Sequence, residues 1–216
     1  MSSPRVISVN VGRAFAAEWA GRLKRTAIDK RPVEAPVGVR RLGLAGDEQA
    51  DTKHHGGPDQ AVYAYAREDL DWWAESLGRL LPDGAFGENL TVRGVDVTGA
   101  LLGERWRVGT ALLEVTAPRI PCSVFRNWMG ERGWVKRFAD ASRVGAYFRV
   151  LEEGEVAAGD PLTVVCRPEP RVTIAEAVRA WYGDAAVMRR LLAIPGISPT
   201  WDNAGRRVLA GTSRAG

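Results

Sequence analysis

Two cysteines, two histidines and a handful of carboxylates carry most of the reactive chemistry open to this chain of 216 residues. Cys122 closes the segment Ala117-Pro118-Arg119-Ile120-Pro121-Cys122, with a guanidinium three residues before it. A thiol acts as a nucleophile or a soft metal ligand in its thiolate form, which a nearby cation favours. Arg119 can supply that field, and Pro121 restrains the backbone as it reaches the thiol. The competing reading is a small buried hydrophobe, since cysteine is among the most buried residue types. The second cysteine, Cys166, ends the apolar run from Leu162 to Val165 and reads as a buried strand residue.

Both histidines sit in Lys53-His54-His55-Gly56-Gly57-Pro58-Asp59. Paired glycines let backbone amides approach a ligand closely, and the lysine and histidines add charge, so such a loop can hold a phosphate. It can also be a plain glycine turn. Adjacent histidines on extended backbone point to opposite sides, which argues against a chelate from this pair alone. Upstream, Asp47 and Asp51 lie four residues apart and can serve as acid and base or stand solvated in a loop. Gly87-Glu88-Asn89-Leu90 leads into an apolar run. Asn89 there either offers its amide to a heterocycle or fills a turn position. None of these stretches has zinc spacing, a phosphate-loop consensus or a dinucleotide fingerprint.

The elements that must position these groups are mostly short strands. Val6 to Val11, Val37 to Leu42, Gln60 to Tyr65, Asn89 to Val92, Arg105 to Val108, Ala111 to Val115, Tyr147 to Leu151 and Leu162 to Cys166 have strand composition or alternation. Gly109-Thr110 suits a tight hairpin, and Glu152-Glu153-Gly154-Glu155 reads as an acidic turn. One helix is expected from about Arg67 to Leu80, with Leu70, Trp73, Leu77 and Leu81 on one stripe and Trp72 off it. Shorter helices are expected near Val124 to Met129 and Trp134 to Ala139. Many short strands at regular spacing favour a barrel over a doubly wound sheet.

Arg167-Pro168-Glu169-Pro170 reads as a linker, dividing residues 1–167 from a tail at 168–216. In the tail, Thr173 and Glu176 form a capping-box pattern before Ile174, Ala177, Val178 and Trp181. Asp184 can cap a second helix carrying Val187, Leu191 and Leu192, and Trp201, Ala204 and Val208 mark a third. Three such helices form too small a core alone, so they are expected to pack on the barrel or on a partner. Fraying is expected from about Gly211.

Apolar content of 45% and charged content of 26% are those of a globular protein. No apolar run is long enough to span a membrane, and the first residues lack the apolar core of a secretory signal. Two cysteines cannot build a disulfide framework, so a reducing cytoplasm is expected. The net charge of +4 is scattered, without the basic stripe or module that nucleic-acid binding requires.

In order, Gly46-Asp47, Asp51, His54-His55-Gly56-Gly57, Ala61-Val62-Tyr63, Gly87-Glu88-Asn89-Leu90 and Arg119-Ile120-Pro121-Cys122 resemble the MOSC domain, named for the C-terminal part of molybdenum-cofactor sulfurases. Val9-Asn10-Val11-Gly12, the stretch Thr26 to Val33 and the tail extend the likeness to its stand-alone bacterial YiiM-like branch. The resemblance implies a mainly β fold, a MOSC-type β-barrel with a few helices followed by a small C-terminal three-helix segment. It implies a molybdenum cofactor (molybdopterin) with Cys122 as its thiolate ligand and the catalytic thiol. Lys53, His54, His55, Gly56, Gly57 and Arg119 become anchors for the cofactor. Glu88 and Asn89 sit near the pterin or the substrate mouth, and Asp47 and Asp51 are candidates for proton delivery.

The activity implied is reduction of N-hydroxylated compounds such as hydroxylaminopurines and amidoximes. Electrons would come from a separate reductase, because the chain has no flavin, haem or iron–sulfur motif; a homodimer is left open. The alternative is a sulfur carrier, with Cys122 holding a persulfide. Two further classes are weaker: a cysteine hydrolase with His54 or His55 as base, and a nucleic-acid-binding domain, suggested only by the basic balance.

Overall fold

The computed structural model describes residues 3–50 and 56–212. The chain opens with β1 (Arg5–Val11), a hairpin of β2 (Phe15–Ala16) and β3 (Arg25–Thr26), β4 (Arg31–Val33), β5 (Val37–Arg40) and β6 (Gly43–Leu44). It continues through β7 (Val62–Ala66), helix α1 (Arg67–Leu77), β8 (Leu90–Arg93), β9 (Arg105–Val108) and β10 (Ala111–Pro118). Helices α2 (Ser123–Met129) and α3 (Trp134–Ala141) precede β11 (Ala146–Glu152), β12 (Gly154–Val156) and β13 (Leu162–Cys166). The tail forms α4 (Ile174–Trp181), α5 (Ala185–Leu192) and α6 (Thr200–Thr212).

Eight strands form one sheet in the order β13-β9-β10-β11-β7-β8-β1-β4. Only β7 and β8 pair in parallel, and α1 is the crossover that a parallel pair requires. The sheet curls closed at β1: its second half pairs with β4, while its first half bonds the turn entering β13 (Val6 N to Asp160 O, 2.9 Å; Leu162 N to Pro4 O, 3.0 Å). Val6, Val62, Val92, Trp106, Val108, Leu113, Val115 and Phe148 are buried, with the Trp106 and Phe148 rings 4.8 Å apart. A separate three-stranded sheet, β12-β5-β6, flanks the main one.

On β7 the alternation puts Tyr63 and Tyr65 on one face and Val62, Ala64 and Ala66 on the other, and all five are buried. The tyrosine face meets the helices. Tyr65, Trp73, Phe86, Phe125, Trp134 and Phe138 form an aromatic cluster; Trp73 and Trp134 lie 4.8 Å apart and Phe125 and Phe138 4.9 Å. Trp73 Nε1 donates to Tyr65 Oη at 3.0 Å, and Trp72 is exposed off the stripe, as the spacing predicts.

The tail helices pack on the barrel and join the same buried core. Thr173 and Glu176 make the reciprocal capping box, and Asp184 caps α5 through Val187 N. Trp201 is buried and its Nε1 donates to Thr116 O at 3.1 Å.

Several expectations are corrected. Helix α1 stops at Leu77, because Gly78 takes a left-handed φ of 63° and its N–H closes on Ala74 O and Glu75 O; Leu80 is left exposed. Residues 58–60 form a single 3-10 turn and the strand starts at Val62. Val37 to Leu42 is a strand only to Arg40, where a turn leads into β6. The acidic stretch 152–155 is largely strand, since Gly154 to Val156 pair with β5. Cys166 is exposed, its strand lying at the edge of the sheet. No helix among the described residues is long and apolar enough to cross a membrane.

Candidate active site

A cavity of about 500 Å³ opens where the 26–30 and 47–50 segments, β7, β11 and the start of α2 converge. Among the described residues its walls include Thr26, Ile28, Lys30, Asp47, Glu48, Gln60, Tyr63, Asn89, Arg119, Cys122 and Tyr147. The β2–β3 hairpin, through Ala20 to Arg25, forms its rim. Its Trp19 meets Trp128 with ring centroids 6.1 Å apart, and Asn127 Nδ2 donates to Trp19 O at 2.7 Å. That volume suits a small organic ligand.

Cys122 follows β10 and stands at the N-cap of α2, with φ −120° and ψ 175°. It is half-buried, and its carbonyl accepts from Arg126 N at 3.0 Å. Arg119 is buried at 8% exposure, with its guanidinium 3.7 Å from the Phe125 ring centroid and 5.8 Å from that of Tyr63. Its Nη1 has no hydrogen-bond partner among the described residues. An unsatisfied buried donor is costly, and a charged one more so. Gln60 Oε1 is likewise buried without a partner. Two orphaned polar atoms of opposite kind thus belong to residues lining one cavity.

The opposite wall is satisfied. Asp47 Oδ1 accepts from Gly12 N at 2.8 Å and from Lys30 Nζ, and Asp47 Oδ2 accepts from Asn89 Nδ2 at 2.9 Å. Asn89 also accepts from Tyr63 N at 3.1 Å through Oδ1. Asp47 and Lys30 side chains are 4% and 10% exposed. Asp47 therefore reaches the cavity as expected, but as a strut for Lys30 and Asn89 with both oxygens engaged. Asn89 lines the cavity too, with its amide committed to this network rather than held free for a ligand.

Glu88 is fully buried and turned into its own loop. It accepts from Gly84 N at 2.7 Å, Phe86 N at 2.9 Å and Thr91 Oγ1 at 3.0 Å. Burial pushes its carboxyl up to about 7, against the pull of these donors. Gly84, at φ 86°, packs so tightly on Lys30 O that a Cβ has no room. Glu88 thus holds the 84–88 loop against the cavity wall and is not at the mouth. Gly57 N donates to Gln49 Oε1 at 3.2 Å, so that amide is also engaged, while Gly56 is half-buried. Asp51, Lys53, His54 and His55 lie outside the described residues.

Lys30, Gln60 and Tyr147 complete the site without having been singled out as site residues. Lys30 and Gln60 carried a local hint, as one falls in the Thr26 to Val33 stretch and the other closely follows the glycine pair. Tyr147 had none, because its role comes from β11 pairing beside β7. Its ring lies 5.0 Å from Tyr63. Burial raises its phenol, a shift that Arg119 opposes and Cys122 adds to.

The MOSC domain family matches residues 51–163. YflK of Bacillus subtilis (strain 168) is 37% identical over 199 residues, covering 91% of this chain and 90% of its own. A Gibberella moniliformis protein named a reductase is 31% identical over 78% of this chain, which spans 30% of that protein. The crystal structure of YiiM from Geobacillus stearothermophilus superposes with a TM-score of 0.80 at 32% identity, covering 95% of this chain and 99% of the other. A matching family segment, a relative aligned almost end to end and a shared fold all agree: the chain belongs to the MOSC domain family and is YiiM-like.

Proposed function

We propose that this protein is a molybdenum-cofactor-dependent reductase of N-hydroxylated compounds. One observation carries the reading: a half-buried cysteine and a buried arginine, one N–H of which has no partner among the described residues, line the same cavity. The residues present fit a molybdopterin. A soft thiolate suits molybdenum, and Arg119 Nη1 calls for an anionic oxygen such as a phosphate. Bound there, the cofactor would supply the two-electron couple that reduction of an N–OH group requires.

The chain's own residues do the rest. Cys122 would hold the metal through sulfur. Arg119 holds the anion, with Phe125 sealing one face of the guanidinium from water. Lys30, fixed by its ion pair with Asp47, shapes the other wall. Reduction of R–NHOH to R–NH₂ and water takes two electrons and two protons. Tyr147, kept protonated by burial, holds a proton at Oη beside Arg119 and Cys122, so it replaces Asp47 as the first candidate for delivery. The electrons come from a separate reductase. The reductase-named relative agrees with this chemical class.

Protein made in a host that synthesises molybdopterin tests the reading. Stoichiometric molybdenum and dithionite-driven reduction of 6-hydroxylaminopurine are expected, both lost in Cys122→Ala with thermal stability retained. Cyanide-labile sulfur on Cys122 without molybdenum would instead establish the sulfur carrier.

A further inference from the structure

Gln60 stands at the end of the 3-10 turn 58–60 with its backbone held on every side. Its N–H donates to Gly57 O at 3.1 Å, and its carbonyl accepts from Gln49 Nε2 at 3.4 Å. Neighbouring Asp59 is tied to Arg149 at 3.0 Å, to Ser198 Oγ at 2.7 Å and, through its carbonyl, to Thr116 Oγ1 at 2.6 Å. The turn is therefore fixed by the barrel and by the tail together. On this mount, the side-chain Oε1 is buried and has no partner among the described residues.

A primary amide carries an acceptor and a donor side by side, so either assignment of its oxygen and nitrogen offers the same two-point edge. That edge matches a nitrogen heterocycle presenting an N–H next to a ring nitrogen or carbonyl, as an aminopyrimidine or lactam does. Tyr63 and Tyr147 add aromatic faces to the same cavity. We infer that Gln60 is a specificity-determining residue that reads the hydrogen-bonding edge of a fused aminopyrimidine heterocycle in the cavity. This rests on the reading of the cavity proposed above. The heterocycle is either the resident pterin or a purine-like substrate, and both share the edge chemistry.

Gln60→Leu removes the edge at nearly constant volume and separates the two sources. Pterin retained per chain, released and read by its fluorescence, is expected to fall at least tenfold if the cofactor is read. If the substrate is read, pterin content holds and the Kd for 2-aminopurine, titrated onto the loaded protein, rises about 10- to 100-fold. Should the leucine variant fail to fold by circular dichroism, Gln60→Asn, which withdraws the amide by one methylene, carries the same expectations. A folded variant that keeps both quantities within twofold of wild type overturns the inference alone. Wild-type protein that holds no pterin and binds no aminopurine overturns the inference and the proposed function together.

Discussion

The two walls of the cavity are finished to different degrees. Gly12, Lys30 and Asn89 all donate to the two oxygens of Asp47, and Asn89 accepts from Tyr63 N as well, whereas Arg119 and Gln60 leave buried polar atoms without a partner among the described residues. The residues of both walls stand in turns and loops at the ends of the barrel strands, so the difference does not come from a difference in framework. A satisfied polar network stabilises the fold and sets a shape. An unsatisfied one destabilises it until something else supplies the missing groups. In the proposed reading the first wall is scaffold and the second is where a ligand would complete the protein.

That contrast can be broken at its strongest point by Asp47→Asn. The change leaves Lys30 charged and poorly compensated at 10% exposure, and a loss of roughly 3 kcal/mol in urea unfolding is expected. A loss under 0.5 kcal/mol would mean the network is decorative.

Glu88, behind the same wall, tests it by pH. Its folded carboxyl is raised to about 7 from an ordinary 4.5, so the folded state binds the proton more tightly. Its stabilising contribution is full below about pH 4.5 and is lost as pH rises through about 7, roughly 3 kcal/mol in all. Unfolding midpoints from pH 4.5 to 8 should decline for wild type and flatten in Glu88→Ala. Parallel profiles would refute the assignment.

On the unfinished wall the sign reverses. Arg119→Met should lower molybdenum content while raising the stability of cofactor-free protein by about 1 kcal/mol, since it removes an orphaned donor. A stability loss would show that stacking on Phe125 outweighs the missing hydrogen bond. The smallest effect is expected away from both walls: Cys166→Ser, at an exposed edge position, should change stability by less than about 0.5 kcal/mol and leave activity intact.

What the sequence made legible follows from how local each signal is. The capping box at Thr173 and Glu176 is complete within four residues, and the structure contains it. The pairing of Arg119 with Cys122 is also local, and both reach the cavity. Glu88 shows the reverse case. Its residue type suggests a ligand group, but its three donors arise from a loop geometry no spacing rule reveals. Tyr147 and the 15–26 hairpin reach the site through pairings far apart in the chain. The dual role of Asp47 is invisible for the same reason, because Gly12, Lys30 and Asn89 come to it from three separate segments.

One consequence concerns modularity. The family-matched segment, residues 51–163, omits Gly12, Ile28, Lys30 and Asp47, and it omits Ser198 and Trp201, which brace Asp59 and Thr116 from behind. A recombination that exchanged only that segment would carry the thiol and the arginine into a host without the scaffold wall or its rear support. The residues that shape this cavity thus extend beyond the family-matched segment on both sides.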